Sequence, residues 1–117
     1  MKYMILIYGE EQRWNSMTPE AGQDVMDQYN KYTADLAEAG VLRGGDELKP
    51  IFTATTVRVR GGKAHNTDGP FAETKEQLGG YYIVETETLD EALAWAGKCP
   101  GASDGCVEVR PTNNSAM

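Results

Sequence analysis

Lys2-Tyr3-Met4-Ile5-Leu6-Ile7-Tyr8, closed by Gly9-Glu10-Glu11, is apolar on both of its faces: Tyr3, Ile5 and Ile7 alternate with Met4, Leu6 and Tyr8. A strand of that kind is covered twice, so the run reads as a central strand of a sheet. It carries one positive charge and no small-residue cleavage site, which sets it apart from the apolar stretch of a signal peptide. Residues 9–17 read as a polar connection holding Trp14. Thr18-Pro19-Glu20 then opens a helix. Thr18 is its N-cap, Pro19 fills the first helical position, and Glu20 lies near the positive end of the dipole. Val25, Tyr29, Tyr32 and Leu36 recur at spacings of three and four, with Met26 and Ala37 alongside, and Gly40 ends the helix at C′.

Beyond Gly40, Val41 to Phe52 is mixed and is broken by Gly44-Gly45 and Pro50. Thr55-Thr56-Val57-Arg58-Val59-Arg60 alternates, with the two valines on one face and the two arginines on the other. Gly61-Gly62 is a two-residue hairpin signal, and Lys63 to Thr67 forms the return strand. Asp68-Gly69-Pro70 is a turn. The segment Phe71 to Leu78 is expected to hold one helical turn, and Gly80-Tyr81-Tyr82-Ile83-Val84-Glu85 is a second strongly apolar strand. Thr88-Leu89-Asp90-Glu91 is a capping box for a shorter helix with Leu89, Ala92, Leu93 and Ala96 as its apolar face, stopped by Pro100-Gly101. Cys106 to Arg110 is a last alternating strand, and about 112–117 reads as a loose tail.

The order is strand, helix, strand, then strand, helix, strand, with a hairpin between the halves. Two such units predict an α+β fold, a ferredoxin-like plait whose helices both cover one face of an antiparallel sheet. The other face then lacks cover within the chain, so the expected assembly is a homodimer through that open face. Met4, Leu6, Tyr8, Tyr81 or Tyr82, and Ile83 are its candidate contacts.

The 117 residues form a single domain, 1–117. Eleven Lys and Arg against eighteen Asp and Glu give a net charge of −7. That balance excludes nucleic-acid binding, which needs a basic patch, and an anionic membrane surface. No stretch approaches the ~18 consecutive apolar residues of a membrane span. A cytoplasmic location follows, in which Cys99 and Cys106 are two reduced thiols, since their spacing matches neither a disulfide framework nor a metal motif. There is no glycine-rich phosphate loop, no metal-ligand cluster and no Ser-His-Asp arrangement. No metal and no cofactor are expected.

Thr67-Asp68-Gly69-Pro70-Phe71-Ala72-Glu73-Thr74-Lys75 runs on through Glu76 to Tyr82 as the sharpest local feature. Its Asp68-Gly69-Pro70-Phe71 core resembles the DGPF motif of the YCII-related (YciI-like) proteins. The resemblance extends to Lys2 through Gly9, Thr56 to Arg60, Leu89 through Trp95, Cys99-Pro100-Gly101 and Val107 to Pro111, nearly the whole chain. It implies a small bacterial protein with a ferredoxin-like domain in a dimeric α/β-barrel arrangement. It also implies, through some relatives, a regulatory role beside an extracytoplasmic-function sigma factor. The wider group pairs a histidine in the first helix with an aspartate near the second. Here Thr18 to Ala39 contains no histidine and the second helix ends Ala96-Gly97-Lys98-Cys99-Pro100, so that pair does not carry over.

Among the residues themselves, Asp68 is the leading catalytic candidate. A carboxylate beside a Gly-Pro turn, pointing into a cleft between sheet, first helix and turn, is set up for acid–base work on a hydrophobic small molecule. The alternative is that Asp68 accepts backbone N–H groups in its own turn. His65 is a weaker candidate as its partner, because three residues apart on a strand the two side chains point to opposite faces. For substrate binding, Glu73 and Lys75 are candidates on the rim, with Glu76 beside them. Arg58 (with Arg60) is a candidate to hold a carboxylate or phosphate, or else to pair with an acid such as Glu85. Tyr8 and Tyr82 are candidates to wall a pocket, and Phe71 to contribute to it or plug the core. Both an enzyme and a non-enzymatic binding or interaction protein are open on these residues.

Overall fold

The computed structural model describes residues 1–113. Six strands and three helices follow one another: β1 (Lys2–Gly9), α1 (Glu11–Asn15), α2 (Pro19–Glu38), β2 (Leu42–Glu47), β3 (Thr55–Arg60), β4 (Lys63–Asp68), β5 (Gln77–Glu85), α3 (Leu89–Gly97) and β6 (Cys106–Pro111). Four of the strands form one antiparallel sheet in the order β2-β5-β1-β6, while β3 and β4 pair only with each other. The apolar strand β1 is central, as its two-sided pattern requires. Each βαβ unit is split, because β5 lies between β1 and β2, and β1 lies between β5 and β6.

Register divides the sheet into two faces. Tyr3, Ile5 and Ile7 stand opposite Val84, Tyr82 and Gly80 on the covered face. There they pack with Tyr32 and Leu36 of α2, Ala92 and Ala96 of α3, and Cys99. Met4, Leu6 and Tyr8 share the open face with Tyr81, Ile83, Arg110, Glu108 and Cys106. Tyr81 therefore belongs to the open face and Tyr82 to the covered one. Both helices start as their sequences dictate. The Thr18 hydroxyl accepts from Ala21 N at 3.1 Å, and the Thr88 hydroxyl accepts from Glu91 N at 3.2 Å.

Several expectations are corrected. The connection after β1 contains the helix α1, whose Trp14 indole lies over the glycines of the β1–β5 edge; a Cβ on Gly79 would meet Trp14 Cη2 at 2.6 Å. The mixed stretch Val41 to Phe52 contains the strand β2, held on β5 despite Gly44 and Gly45 because Gly45 fits tightly against Tyr82 and a larger residue would not. The segment from Phe71 forms no helical turn. The Thr74 hydroxyl instead donates to the Glu76 carbonyl, and Gln77 Nε2 donates to the Thr74 carbonyl, local bonds that displace a helical pattern. On α3 the inward face is Ala92, Trp95 and Ala96, and Leu89 and Leu93 are exposed. The tail begins later than expected. Pro111 belongs to β6 and Thr112 N donates to Lys2 O at 3.0 Å, while residues 114–117 of the expected loose tail lie outside the described residues.

The β3–β4 hairpin stands outside this two-layered body, and its strands are exposed almost throughout. Gly61 and Gly62 make its tip with φ of 60° and 73°, the pair of positive values a two-residue turn needs to match strand twist. The Cα radius of gyration is 16.2 Å, against about 13 Å for a compact domain of this length. The shortest extent is 19 Å, the depth of one sheet with helices on one side only.

Candidate functional site

A groove of about 600 Å³ opens at the base of the hairpin, lined by Ile51, Phe52, Asp68, Gly69, Pro70, Glu73 and Thr74. One wall is the 3-10 turn Ile51–Thr53, which Pro50 introduces. That turn is fixed from below by α1: Glu11 Oε2 accepts from Ile51 N at 2.9 Å, and Gln77 Oε1 in turn accepts from Glu11 N at 2.9 Å. The opposite wall is the Asp68–Pro70 turn. Gly69 has φ of 98°, a value side-chain-bearing residues rarely adopt, and its N–H donates to Ala54 O at 2.7 Å. Its carbonyl accepts from Thr56 Oγ1 at 2.8 Å. Both walls are thus held by bonds to the backbone around them, and Asp68 and Glu73 are the acids that line the groove.

Asp68 is exposed, and among the described residues its carboxylate accepts no hydrogen bond. The turn is closed by backbone and by Thr56, so the alternative in which Asp68 caps its own turn has no bond to support it. Nor is the groove the closed cleft expected between sheet, first helix and turn: α2 contributes nothing to it. Apolar Ile51, Phe52 and Pro70 beside two acids make a site that accepts hydrogen bonds and positive charge while offering a hydrophobic wall.

The other candidates are dispersed. His65 and Asp68 share β4 but not a face: His65 stands opposite Arg58 and Asp68 opposite Thr55. Arg58 therefore faces a histidine, and Glu85 is taken by Arg43 at 3.1 Å. Tyr8 is on the open sheet face, its hydroxyl donating to Glu108 Oε1 at 3.4 Å; burial, then the Glu108 charge, raise its pKa. Tyr82 is under α2, edge-on to Tyr32 with ring centroids 5.3 Å apart, its hydroxyl 2.8 Å from Thr33 Oγ1. Phe71 is 80% exposed, neither a core plug nor a groove wall, because the bend after Pro70 turns it outward. Lys75 is exposed and does not line the groove. Of the residues singled out from sequence, the groove gathers Asp68 and Glu73, with Gly69 and Pro70 of the turn.

Ile51, Phe52 and Thr74 escaped the sequence reading. The available signal was Pro50-Ile51-Phe52, two large apolar residues behind a proline in a polar stretch. Phe52 is 79% exposed, which core packing does not explain. A second polar cluster is structural. Tyr29, Tyr32 and Cys99 lie together beneath α2, and burial raises the pKa of each. Among the described residues no group of three His, Cys, Asp or Glu side chains is placed to hold a metal ion, and no helix is long and apolar enough to cross a membrane.

Comparison with known proteins places the chain in context. Residues 1–114 match the YCII-related domain. An uncharacterized protein of Rhizobium meliloti (strain 1021), R00369, is 39% identical over 113 residues, covering 95% of this chain and 91% of the relative. Among solved structures, the 5-chloro-2-hydroxyhydroquinone dehydrochlorinase TftG of Burkholderia phenoliruptrix AC1100, in complex with 2,5-dihydroxybenzoquinone, is similar with a TM-score of 0.48 and 18% identity, over 97% of this chain and 94% of that one.

Proposed function

The chain belongs to the YCII-related family, and from that premise we propose that it binds a small organic molecule in the groove at the base of the hairpin. The molecule has an apolar, preferably aromatic, body and carries an ammonium or hydroxyl donor. The observation behind this is the pairing of Asp68 and Glu73, whose carboxylates make no hydrogen bond or ion pair among the described residues, with Ile51, Phe52 and Pro70 in one groove. Acid–base chemistry is the natural extension: Asp68 is placed to take a proton from the donor of a bound molecule. Asp68-Gly69-Pro70-Phe71 is then the family's DGPF motif put to use, its glycine and proline shaping the turn and its aspartate serving the ligand. The working unit is a ferredoxin-like domain, 1–117, in a cytoplasmic homodimer of barrel-like form joined through Met4, Leu6, Tyr81 and Ile83 of the open face.

Isothermal titration tests the reading with matched aromatic probes that differ in one group: benzylamine, benzyl alcohol and benzoate. The amine should bind most tightly and benzoate least, and Asp68→Asn with Glu73→Gln should weaken the amine tenfold or more. Equal binding of benzoate, or an unaltered double variant, would overturn it. A second reading, an interaction protein serving an extracytoplasmic-function sigma factor, is favoured by the exposure of Phe52 and Phe71. Substituting both with serine would abolish sigma-factor binding under that reading. Amine binding would survive loss of Phe71, which is outside the groove.

A further inference from the structure

The hairpin β3–β4 is exposed almost throughout and differs in charge from the rest of the chain. Register sets Arg58 opposite His65 and Arg60 opposite Lys63, so one face of the ribbon carries four nitrogenous side chains with no acid among them. Like charges directly across a ladder disfavour the pairing. The other face carries Val57 and Val59, 59% and 60% exposed, with Ala64 opposite Val59. Between Thr55 and Asp68 lie three cations and one acid; outside those bounds are eight cations and seventeen acids. The ion pairs among the described residues, Lys31–Asp35 and Arg43–Glu85, involve none of the hairpin cations. A basic ribbon has been built on an acidic body, and no ion pair among the described residues neutralises it.

The open sheet face carries the complementary charge. Asp46 is there beside Tyr81, their contact being a 3.1 Å hydrogen bond, and Glu108 is beside Tyr8. Glu76 reaches the same edge, 3.9 Å from Cys106 Sγ. Arg110 and Lys2 are cations of the same face, opposite Met4 and Glu85 and so toward the other end of the strands from Glu108 and Asp46.

We propose that the β3–β4 hairpin is a dimerisation arm: it lays its basic face, Arg58, Arg60 and Lys63, on the acidic edge of the open sheet of a second copy, formed by the partner's Asp46, Glu76 and Glu108. This rests on the homodimer proposed above and adds to it which element clasps the partner and what it touches.

Sedimentation velocity of the full-length chain across a concentration series tests it. Arg58→Glu with Arg60→Glu places acids opposite His65 and Lys63, pairs that favour the ribbon itself, so any loss of dimer is not loss of the hairpin. The variant should raise the dimer dissociation constant at least ~10-fold at 0.15 M salt, the scale of losing close interfacial charge pairs. The difference should largely vanish at 1 M salt, where the Debye length is about 3 Å. Adding Glu76→Lys and Glu108→Lys to the same chain should restore association to within about threefold of the parent, because attraction is re-created with the signs exchanged. A parent dimer that the arginine reversal leaves intact, or that the four-fold variant fails to recover, would refute the arm and leave the sheet-face dimer standing. A parent that sediments as a monomer throughout would refute both, and Leu6→Lys, which should dissociate the dimer at any salt, reports on the sheet face separately.

Discussion

Replacing Asp68 with asparagine separates a structural role from a functional one. A carboxylate that accepts a backbone N–H at a turn or cap is worth ~1 kcal/mol. With an unfolding entropy of about 2.1 cal/mol/K per residue, a chain of 117 residues converts 1 kcal/mol into a midpoint change of about 4 °C. Here the turn is closed by Gly69 N to Ala54 O at 2.7 Å and Thr56 Oγ1 to Gly69 O at 2.8 Å, and neither bond uses the Asp68 side chain. Exposed substitutions without such a bond stay within about 0.5 kcal/mol, or about 2 °C. Paired thermal melts by circular dichroism, at equal concentration so that association is matched, should therefore place Asp68→Asn within 2 °C of the parent. Benzylamine should raise the parent's midpoint and lose that effect in the variant. A drop of 4 °C or more without ligand would refute the argument, since it would show the carboxylate to be holding the turn.

Three further outcomes follow from the packing. Leu36 is wholly buried between α2 and the sheet, so Leu36→Ala should cost about 3 kcal/mol and lower the melting midpoint by more than 10 °C, read in the same melts. Gly69→Ala meets no neighbour within 4 Å yet must hold a φ of 98°; a cost of about 1–2 kcal/mol in urea titration is expected, with weaker amine binding as the turn shifts. Burial raises the pKa of Tyr29 and Tyr32 above 10.0 and that of Cys99 above 9.0, so the folded state keeps these protons longer than the unfolded chain. Their stabilisation is complete below pH 9 and is lost as pH rises through 9 and 10. For the buried Tyr32 alone the slope beyond pH 10 is about 1.4 kcal/mol per pH unit. Denaturant midpoints from pH 8 to 11.5 should fall over that range and less steeply in Tyr32→Phe.

The parts of the fold legible from sequence are those written in local chemistry. Thr18-Pro19-Glu20 and Thr88 to Glu91 begin helices through bonds made within one turn, and β1 announces its central place through six residues, Tyr3 to Tyr8, that are apolar on both faces. β2 was legible only as the strand the topology needs between the long helix and the hairpin. Its sequence LRGGDE has no strand pattern, and it pairs because β5 offers an edge and Gly45 tolerates the approach of Tyr82. Similarly, α1 is held by Gln77 and by Trp14 stacking over distant glycines, contacts no local period records. For the groove, the turn chemistry of Asp68-Gly69-Pro70 drew the eye to one wall. The other wall, Ile51 and Phe52, is joined to it only by the fold. Tyr8 and Tyr82 looked interchangeable by alternation alone, and the register that pairs Tyr82 with Ile5 while Tyr8 stays in line with Leu6 sends them to opposite sides of the sheet.

The same geometry would tie the groove to the proposed dimer. The hairpin grows from the two segments that wall the groove, since Thr53 ends the 3-10 turn two residues before β3 begins and Asp68 is the last residue of β4. A force on the ribbon is thus applied directly to the Ala54–Gly69 and Thr56–Gly69 bonds that set the groove's width. If the ribbon clasps a second copy, dimer formation fixes the spacing of Phe52 and Asp68, and a ligand bridging them favours the clasped state in return. Linkage requires the two effects to be equal in free energy. Saturating benzylamine should accordingly tighten the parent dimer by the square of the factor by which dimerisation tightens binding at each of its two grooves, and Arg58→Glu with Arg60→Glu should remove both effects. Amine affinity unaffected by dilution through the monomer–dimer range would break the connection, leaving groove and arm as independent features of one hairpin.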